Sequence, residues 1–177
     1  ETDWNKSTEK FQKAVENNPG YFDAMLELGI LLTHKKEKPA INYLNNSLKL
    51  RPASIEALYA IGIYYQENNE PEKALNRYGN ILTLDSNYAD AWYNSGYVNC
   101  VYLEKYSEVV PFFDRVILIR PNYAEAWYMR GICYEAMGKS DLAKQQYLTS
   151  LKFKENYDLA IEGLNRLDKL QNDGETK

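Results

Sequence analysis

The chain has 177 residues, of which 45 % are apolar and 26 % charged, with a formal net charge of −4. That is enough apolar material for one domain or a short solenoid. The acidic balance argues against nucleic acid and against an anionic membrane surface as partners. No stretch approaches the roughly 18 to 20 consecutive apolar residues that a membrane helix needs.

Cys100 and Cys133 are the two cysteines. They are too few for a disulfide framework and read as small buried hydrophobes, compatible with a reducing compartment. Glu1 stands where a Met would open a complete chain, which points to a trimmed start. Localisation is therefore open: cytoplasmic by default, periplasmic or envelope-anchored if a signal was removed.

The chain repeats itself. FDAMLELGILL, IEALYAIGIYY, ADAWYNSGYVN and AEAWYMRGICY align, with Gly29, Gly62, Gly96 and Gly131 in one column. A second column holds Ala40, Ala74, Val109 and Ala143. A third holds Phe11, Leu44, Tyr78, Phe113 and Tyr147, and a fourth Pro19, Pro52, Ser86, Pro121 and Glu155. The steps are 33 to 35 residues, the period of a stacked helical hairpin.

In chain order, residues 4–21 match only the second helix of such a unit. Its first helix is missing, which favours a cut through a longer array over a natural cap. The exposed apolar face expected there would support dimerisation or receive an upstream repeat. Four full units follow at 22–54, 55–88, 89–123 and 124–157. Apolar residues inside each recur at helical spacing. The Gly column has no side chain where the two helices of a hairpin approach, and the Ala column does the same from the facing helix.

The spacing from the Gly to the Ala column is 11, 12, 13 and 12 residues. The slippage therefore lies in the hairpin turns, shortened at residues 34–38 and lengthened at 102–106. Pro39 and Pro71 suit a first helical turn. Pro111 falls in or just after one. Ser107 and Ser140 are expected as N-caps. Residues 158–171 match a first helix with Asn165 in the Gly column, the polar outer face of a capping helix. The tail, 172–177, is expected to be disordered.

These columns resemble the tetratricopeptide repeat, whose pattern runs bulky residue, Leu-Gly, Tyr, Ala, aromatic, Pro. Residues 124–157 carry nearly all of it. Departures are Ser95 and Arg130 in place of Leu, Asn99 in place of Tyr, and Val109 in place of Ala. The resemblance covers about nine-tenths of the chain. It implies an all-α fold: an α-solenoid, a right-handed superhelix of antiparallel hairpins.

The resemblance also implies that first helices line a concave groove where ligands lie. Four columns would face it: Asp23, Glu56, Asp90 and Glu125; Leu26, Tyr59, Tyr93 and Tyr128; Ile30, Ile63, Tyr97 and Ile132; and Thr33, Gln66, Cys100 and Glu135. Such a surface suits a protein or peptide with apolar anchors and basic residues beside them. Acidic residues opening a helix also favour the helix dipole with no ligand present.

Co-chaperone members of the family hold a C-terminal carboxylate with Lys, Asn and Arg. Here Asp or Glu stands where that Lys is needed, and Asn94 is the one clamp-like residue, with Glu27, Ala60 and Met129 at its equivalents. A carboxylate clamp is not expected. Those four residues also form no asparagine ladder of the kind seen in sugar-transferring enzymes.

Catalysis is not expected either. His34 is the sole histidine and reads as a surface residue beside Lys35 and Lys36. No HExxH, CxxC or Gly-rich phosphate loop occurs, and no cofactor or metal is implied. The leading expectation is a protein-interaction scaffold. The alternatives are a structural segment of a longer array, a self-associating module dimerising through its first helix, and a cell-envelope assembly factor.

Overall fold

The structure, a computed structural model, describes residues 2–175. Among them are ten helices and no strand: α1 (Thr2–Asn17), α2 (Phe22–His34), α3 (Ala40–Leu50), α4 (Ile55–Glu67), α5 (Pro71–Leu84), α6 (Ala89–Val101), α7 (Tyr106–Ile119), α8 (Ala124–Ala136), α9 (Ser140–Phe153) and α10 (Asp158–Glu175). The fold is an all-α helical solenoid. The expected tail at 172–177 falls on the end of α10 and on residues outside those described.

The helices group into two compact units, Glu1–Ser86 and Asn87–Lys177. In the first, α2 pairs with α3 and α4 with α5, while α1 packs on α2 and α3 on α4. In the second, α6 pairs with α7 and α8 with α9, while α7 packs on α8 and α10 on α9. Within each unit successive first helices also touch: α2 with α4, α6 with α8 and α8 with α10.

The Gly column explains the pairing. A Cβ on Gly29 would lie 2.5 Å from Leu44, and one on Gly62 would lie 2.5 Å from the Tyr78 ring. The corresponding approaches are 2.9 Å from Gly96 to Phe113 and 2.5 Å from Gly131 to Tyr147. Close approach is as expected, but the residue opposite each glycine is the bulky third column, not the Ala column. Leu44, Tyr78, Phe113 and Tyr147 are all fully buried. Each plugs its hairpin at native packing density, where one added methyl is felt.

The turns obey one rule. Lys36, Asn69 and Gly138 each have positive φ just after a first helix. In each case that residue's N–H bonds the second-last carbonyl of the helix, and the following N–H bonds the one before. These are Schellman closures. In the third turn the positive-φ residue is Glu104, one position later, and the Lys105 N–H reaches back to Asn99 O. The inserted residue sits in that turn. The shortened first turn instead costs α3 its opening turn: α3 has 11 residues, against 14 in α5, α7 and α9.

These turn geometries override the expected caps. Lys105 and Lys139 occupy the N-cap positions of α7 and α9, with no side-chain cap bond. Ser140 is the first residue of its helix and Ser107 the second of its own. In the second and fourth turns the residue that ends the Schellman closure, Glu70 or Lys139, is the next N-cap whatever its side chain, whereas in the first turn Pro39, two residues past the closure, takes that position. Ser54 does cap α4, its Oγ accepting from the Ala57 N–H at 3.1 Å. Pro71 opens α5. Pro111 lies inside α7, six residues in and exposed, so the carbonyl it cannot bond, that of Ser107, lies within the first turn of the helix.

Candidate binding surface

In the second unit, Tyr93, Tyr97, Tyr128 and Ile132 are half-buried along one face of α6 and α8. Each tyrosine is held by another ring. Tyr93 packs on Tyr97 with centroids 6.4 Å apart and on Tyr123 at 5.1 Å. Tyr128 packs on Tyr157 at 5.3 Å and on Tyr147 at 5.7 Å. Tyr123 precedes α8 and Tyr157 precedes α10, so the ring ahead of each first helix leans on the tyrosine of the hairpin before it. Burial pushes the Tyr93 and Tyr128 hydroxyls above the ordinary phenol range. Tyr157 is pushed up to about 12, by burial and by the nearby Glu125 carboxylate. All three stay neutral, as hydrogen-bonding phenols, well beyond physiological pH.

The acidic column behaves differently from a free acidic border. Arg120, at the end of α7, donates to both Asp90 oxygens at 2.8 and 3.3 Å. Lys154, at the end of α9, donates to Glu125 at 2.8 Å. Burial alone would raise the Glu125 carboxyl, but Lys154 holds it below the usual carboxylate range. The same two cations sit over rings, Arg120 at 6.0 Å from Tyr123 and Lys154 at 4.3 Å from Tyr157. Each hairpin of this unit therefore carries one assembly of carboxylate, cation and two tyrosines: Asp90, Arg120, Tyr123 and Tyr93, then Glu125, Lys154, Tyr157 and Tyr128.

In the first unit, Arg51 approaches Asp23 at 3.4 Å and lies 4.0 Å from the Phe22 ring. Glu56 is exposed and accepts from the Ser54 hydroxyl at 2.8 Å. Its own backbone N–H, that hydroxyl and, more weakly, the charge of Arg51 lower its pKa. Tyr59 is half-buried against Tyr78, with centroids 6.0 Å apart, and Ile63 is half-buried one turn on.

Several residues expected at the surface are occupied within the fold. Asn94 is 7 % exposed, buried in α6. Thr33 is buried and donates to Gly29 O. Cys100 is buried beside Cys133. Gln66 accepts from the Tyr78 hydroxyl at 3.1 Å. Glu135 accepts from Tyr147 and, at 3.0 and 2.9 Å, from Arg166 of α10. The Thr33, Gln66, Cys100 and Glu135 column therefore belongs largely to the hairpin interior. Gln66 and Glu135 match the tyrosine hydroxyls facing them, because a buried phenol needs a partner.

Tyr123, Tyr157, Arg120 and Lys154 are the residues that the sequence reading passed over. Their signal was present as two further columns stepping by 33 to 35 residues: Tyr21, Ser54, Tyr88, Tyr123 and Tyr157, and Arg51, Asp85, Arg120 and Lys154. His34 is exposed at the end of α2, its ring edge-on to Trp4 at 5.7 Å. Among the described residues no three His, Cys, Asp or Glu side chains are placed to hold a metal ion. No helix there is long and apolar enough to cross a membrane.

A family model for the tetratricopeptide repeat matches residues 112–145. Over 56 residues, 31 % of the chain, it is 41 % identical to a peroxisomal targeting signal receptor of Eremothecium gossypii, and spans about a tenth of that protein's length. The fold is similar to that of MamA, with a TM-score of 0.78 and 24 % identity over 87 % of this chain and 90 % of that one. It is also similar to YrrB, described as a TPR protein with an unusual peptide-binding site. There the TM-score is 0.72, with 22 % identity over 93 % of this chain and 85 % of that one. At these identities the structural likenesses speak for the fold.

Proposed function

We propose that this tetratricopeptide-repeat protein works as a protein-interaction scaffold, taking a partner segment against the tyrosine-bearing face of its first helices. The repeat division is proposed as 22–54, 55–88, 89–123 and 124–157, with a half-repeat at 4–21 and a C-terminal capping helix at 158–171. The observation that carries the functional reading is the row of half-buried rings at Tyr93, Tyr97, Tyr123, Tyr128 and Tyr157. They hold one another in place, so a ligand meets a surface whose side-chain entropy is already largely lost. Tyrosine buries a ring while keeping a hydroxyl for bonding, which suits a contact surface. The likeness to YrrB adds a precedent of peptide binding on this fold.

The ion pairs refine the partner's chemistry. With Asp90 and Glu125 already matched by Arg120 and Lys154, apolar and aromatic anchors are the main contribution in the second unit. Basic residues on the partner would serve at Glu56, where a serine hydroxyl takes the place of an ion pair. Screening an immobilised peptide array with the wild-type protein and with Tyr93→Ala/Tyr128→Ala tests this. The expected result is selection of peptides with aromatic or aliphatic anchors and a loss of about tenfold or more in the double variant. Unchanged binding by a helical, monodisperse double variant rejects the surface.

A second reading is self-association or array extension through α1. It is favoured by Phe11 and Ala14, which are part-exposed, whereas their counterparts Leu44 and Ser47, Tyr78 and Ile81, Phe113 and Val116, and Tyr147 and Ser150 are fully buried. Sedimentation over a concentration series tests it: a monomer throughout removes the self-associating form.

A further inference from the structure

The two cysteines come from neighbouring first helices of the second unit. Cys100 lies on α6 and Cys133 on α8, 1 % and 0 % exposed, with their sulfurs 3.8 Å apart. A disulfide needs about 2.05 Å between sulfurs, so closure requires an approach of a little under 2 Å. That is within the motion of two side chains and a helix end. We propose that Cys100 and Cys133 form a reversible disulfide on exposure to hydrogen peroxide, cross-linking the third and fourth hairpins.

Three observations support it. The pair sits in an apolar cluster with Val109, Phe113 and Met129, and no other thiol among the described residues competes for either sulfur. Cys100 is the second-last residue of α6, which ends at Val101. That helix end runs into the hairpin turn with the extra residue and the left-handed Glu104. Helix ends open locally at small free-energy cost, and peroxide is small enough to enter when this one does. Finally, the Cys133 S–H points at the Cys100 sulfur. That contact favours a thiolate at Cys100, and Cys100 is also the sulfur at the helix end, which peroxide reaches first, so Cys100 attacks and Cys133 resolves.

The chemistry balances. The Cys100 thiolate attacks one peroxide oxygen, the O–O bond breaks, and the leaving hydroxide takes a proton as water. Cys100 is then a sulfenic acid. The Cys133 sulfur attacks the Cys100 sulfur, the S–O bond breaks, and hydroxide leaves with the Cys133 proton as a second water. Two thiols have lost two electrons and two protons, and one peroxide has become two waters. A thiol reductant reverses the link by exchange. Because α6 and α8 carry Tyr93 and Tyr128, the link also fixes the spacing of the two tyrosine-bearing helices, whatever those tyrosines bind.

The test treats the reduced full chain with hydrogen peroxide, then measures intact mass, a non-reducing peptide map and thermal melting. Expected are a mass lower by two hydrogens, a Cys100–Cys133 linked peptide in a monomeric band, and a higher Tm that reverts with dithiothreitol. In Cys133→Ser the sulfenic acid should persist at Cys100 and take a dimedone label. Cys100→Ser should label far less at Cys133. Circular dichroism checks that both variants fold, and the wild-type linkage assay stands without them. Two intact thiols under conditions that oxidise an unprotected model thiol would overturn the proposal. So would links only between chains, or conversion of both sulfurs to sulfonic acid with no link.

Discussion

The Tyr147 hydroxyl donates to the Glu135 carboxylate, and the Tyr147 ring beneath it fills the space that Gly131 leaves open on α8. The opposite edge of the ring meets Gly163 of α10, where a Cβ would lie 2.7 Å away. One side chain of α9 thus closes its own hairpin and seats the following helix.

Two substitutions should separate those roles. Tyr147→Phe keeps the ring and removes the hydroxyl, leaving Glu135 bonded to Arg166. It should cost about 0.5–1.5 kcal/mol. Gly131→Ala keeps the hydroxyl and forces the ring to move, at a cost of about 1–3 kcal/mol. Urea unfolding measures both. If Gly131→Ala proves neutral, the close packing of this hairpin is not what holds it.

The Glu135 carboxylate also sets an acid limit. Burial would raise its pKa, but the Arg166 guanidinium and the Tyr147 hydroxyl together hold it below the usual carboxylate range. A carboxyl depressed in the folded state stabilises the protein above the unfolded pKa, about 4.3 for Glu. That contribution disappears as the pH falls through the lower folded value. Glu56 and Glu125 shift in the same direction and add to the effect. Denaturant midpoints should therefore be flat near neutrality and fall below about pH 4. In Glu135→Gln the acid slope should be shallower, and an unchanged slope would remove Glu135 from this account.

The hairpin turns offer a gain in stability. Lys36 and Glu104 hold positive φ, at 56° and 52°, where the fourth hairpin uses Gly138. A side chain in that region is strained by roughly 1–2 kcal/mol, offset in part by the extra freedom glycine gives the unfolded chain. Glu104→Gly and Lys36→Gly should each stabilise by about 0.5–1 kcal/mol. Asn69→Gly should do less, since asparagine tolerates this conformation. Differential scanning calorimetry would register each gain as about 2 °C in Tm. A fall in Tm for Glu104→Gly would mean that its side chain holds the long turn together.

The periodic part of the fold was legible because it rests on steric columns. Gly29, Gly62, Gly96 and Gly131 recur where a Cβ cannot fit, and the four residues opposite recur where a plug is needed. The 11-, 12- and 13-residue spacings located the odd turns, and Glu104 sits in the long one. The caps were less legible. A serine at a helix start reads as a cap by its chemistry, yet the turn ahead of it had already fixed the N-cap at Lys105 and Lys139. The surface was hardest to read. Whether Asp90 or Glu125 faces a ligand depends on what stands 29 or 30 residues later, and Arg120 and Lys154 come from another helix. Glu135 read as a surface acid because the Tyr147 hydroxyl that claims it lies 12 residues on, across a turn. Column partners of this kind are visible once two columns are compared pair by pair, not one at a time.

The matched carboxylates lead to a test of how a partner is held. Exposed charges attract through solvent over about 8–10 Å at physiological salt, and that attraction weakens as salt rises. A free acidic border on the second unit would therefore make partner binding strongly salt-dependent. With Arg120 on Asp90 and Lys154 on Glu125, the field there is largely cancelled, and contact with the tyrosine rings should dominate. Affinity for a peptide with an aromatic anchor should change by less than about threefold between low salt and high salt. Arg120→Ala with Lys154→Ala exposes both carboxylates. That variant should gain affinity for anchored peptides bearing lysine or arginine, and the gain should vanish in high salt. Fluorescence anisotropy with a labelled array hit, at two ionic strengths and for both proteins, reads all four values. Strong salt dependence in the wild type would place the binding energy on unmatched charge, with Glu56 the first residue to substitute.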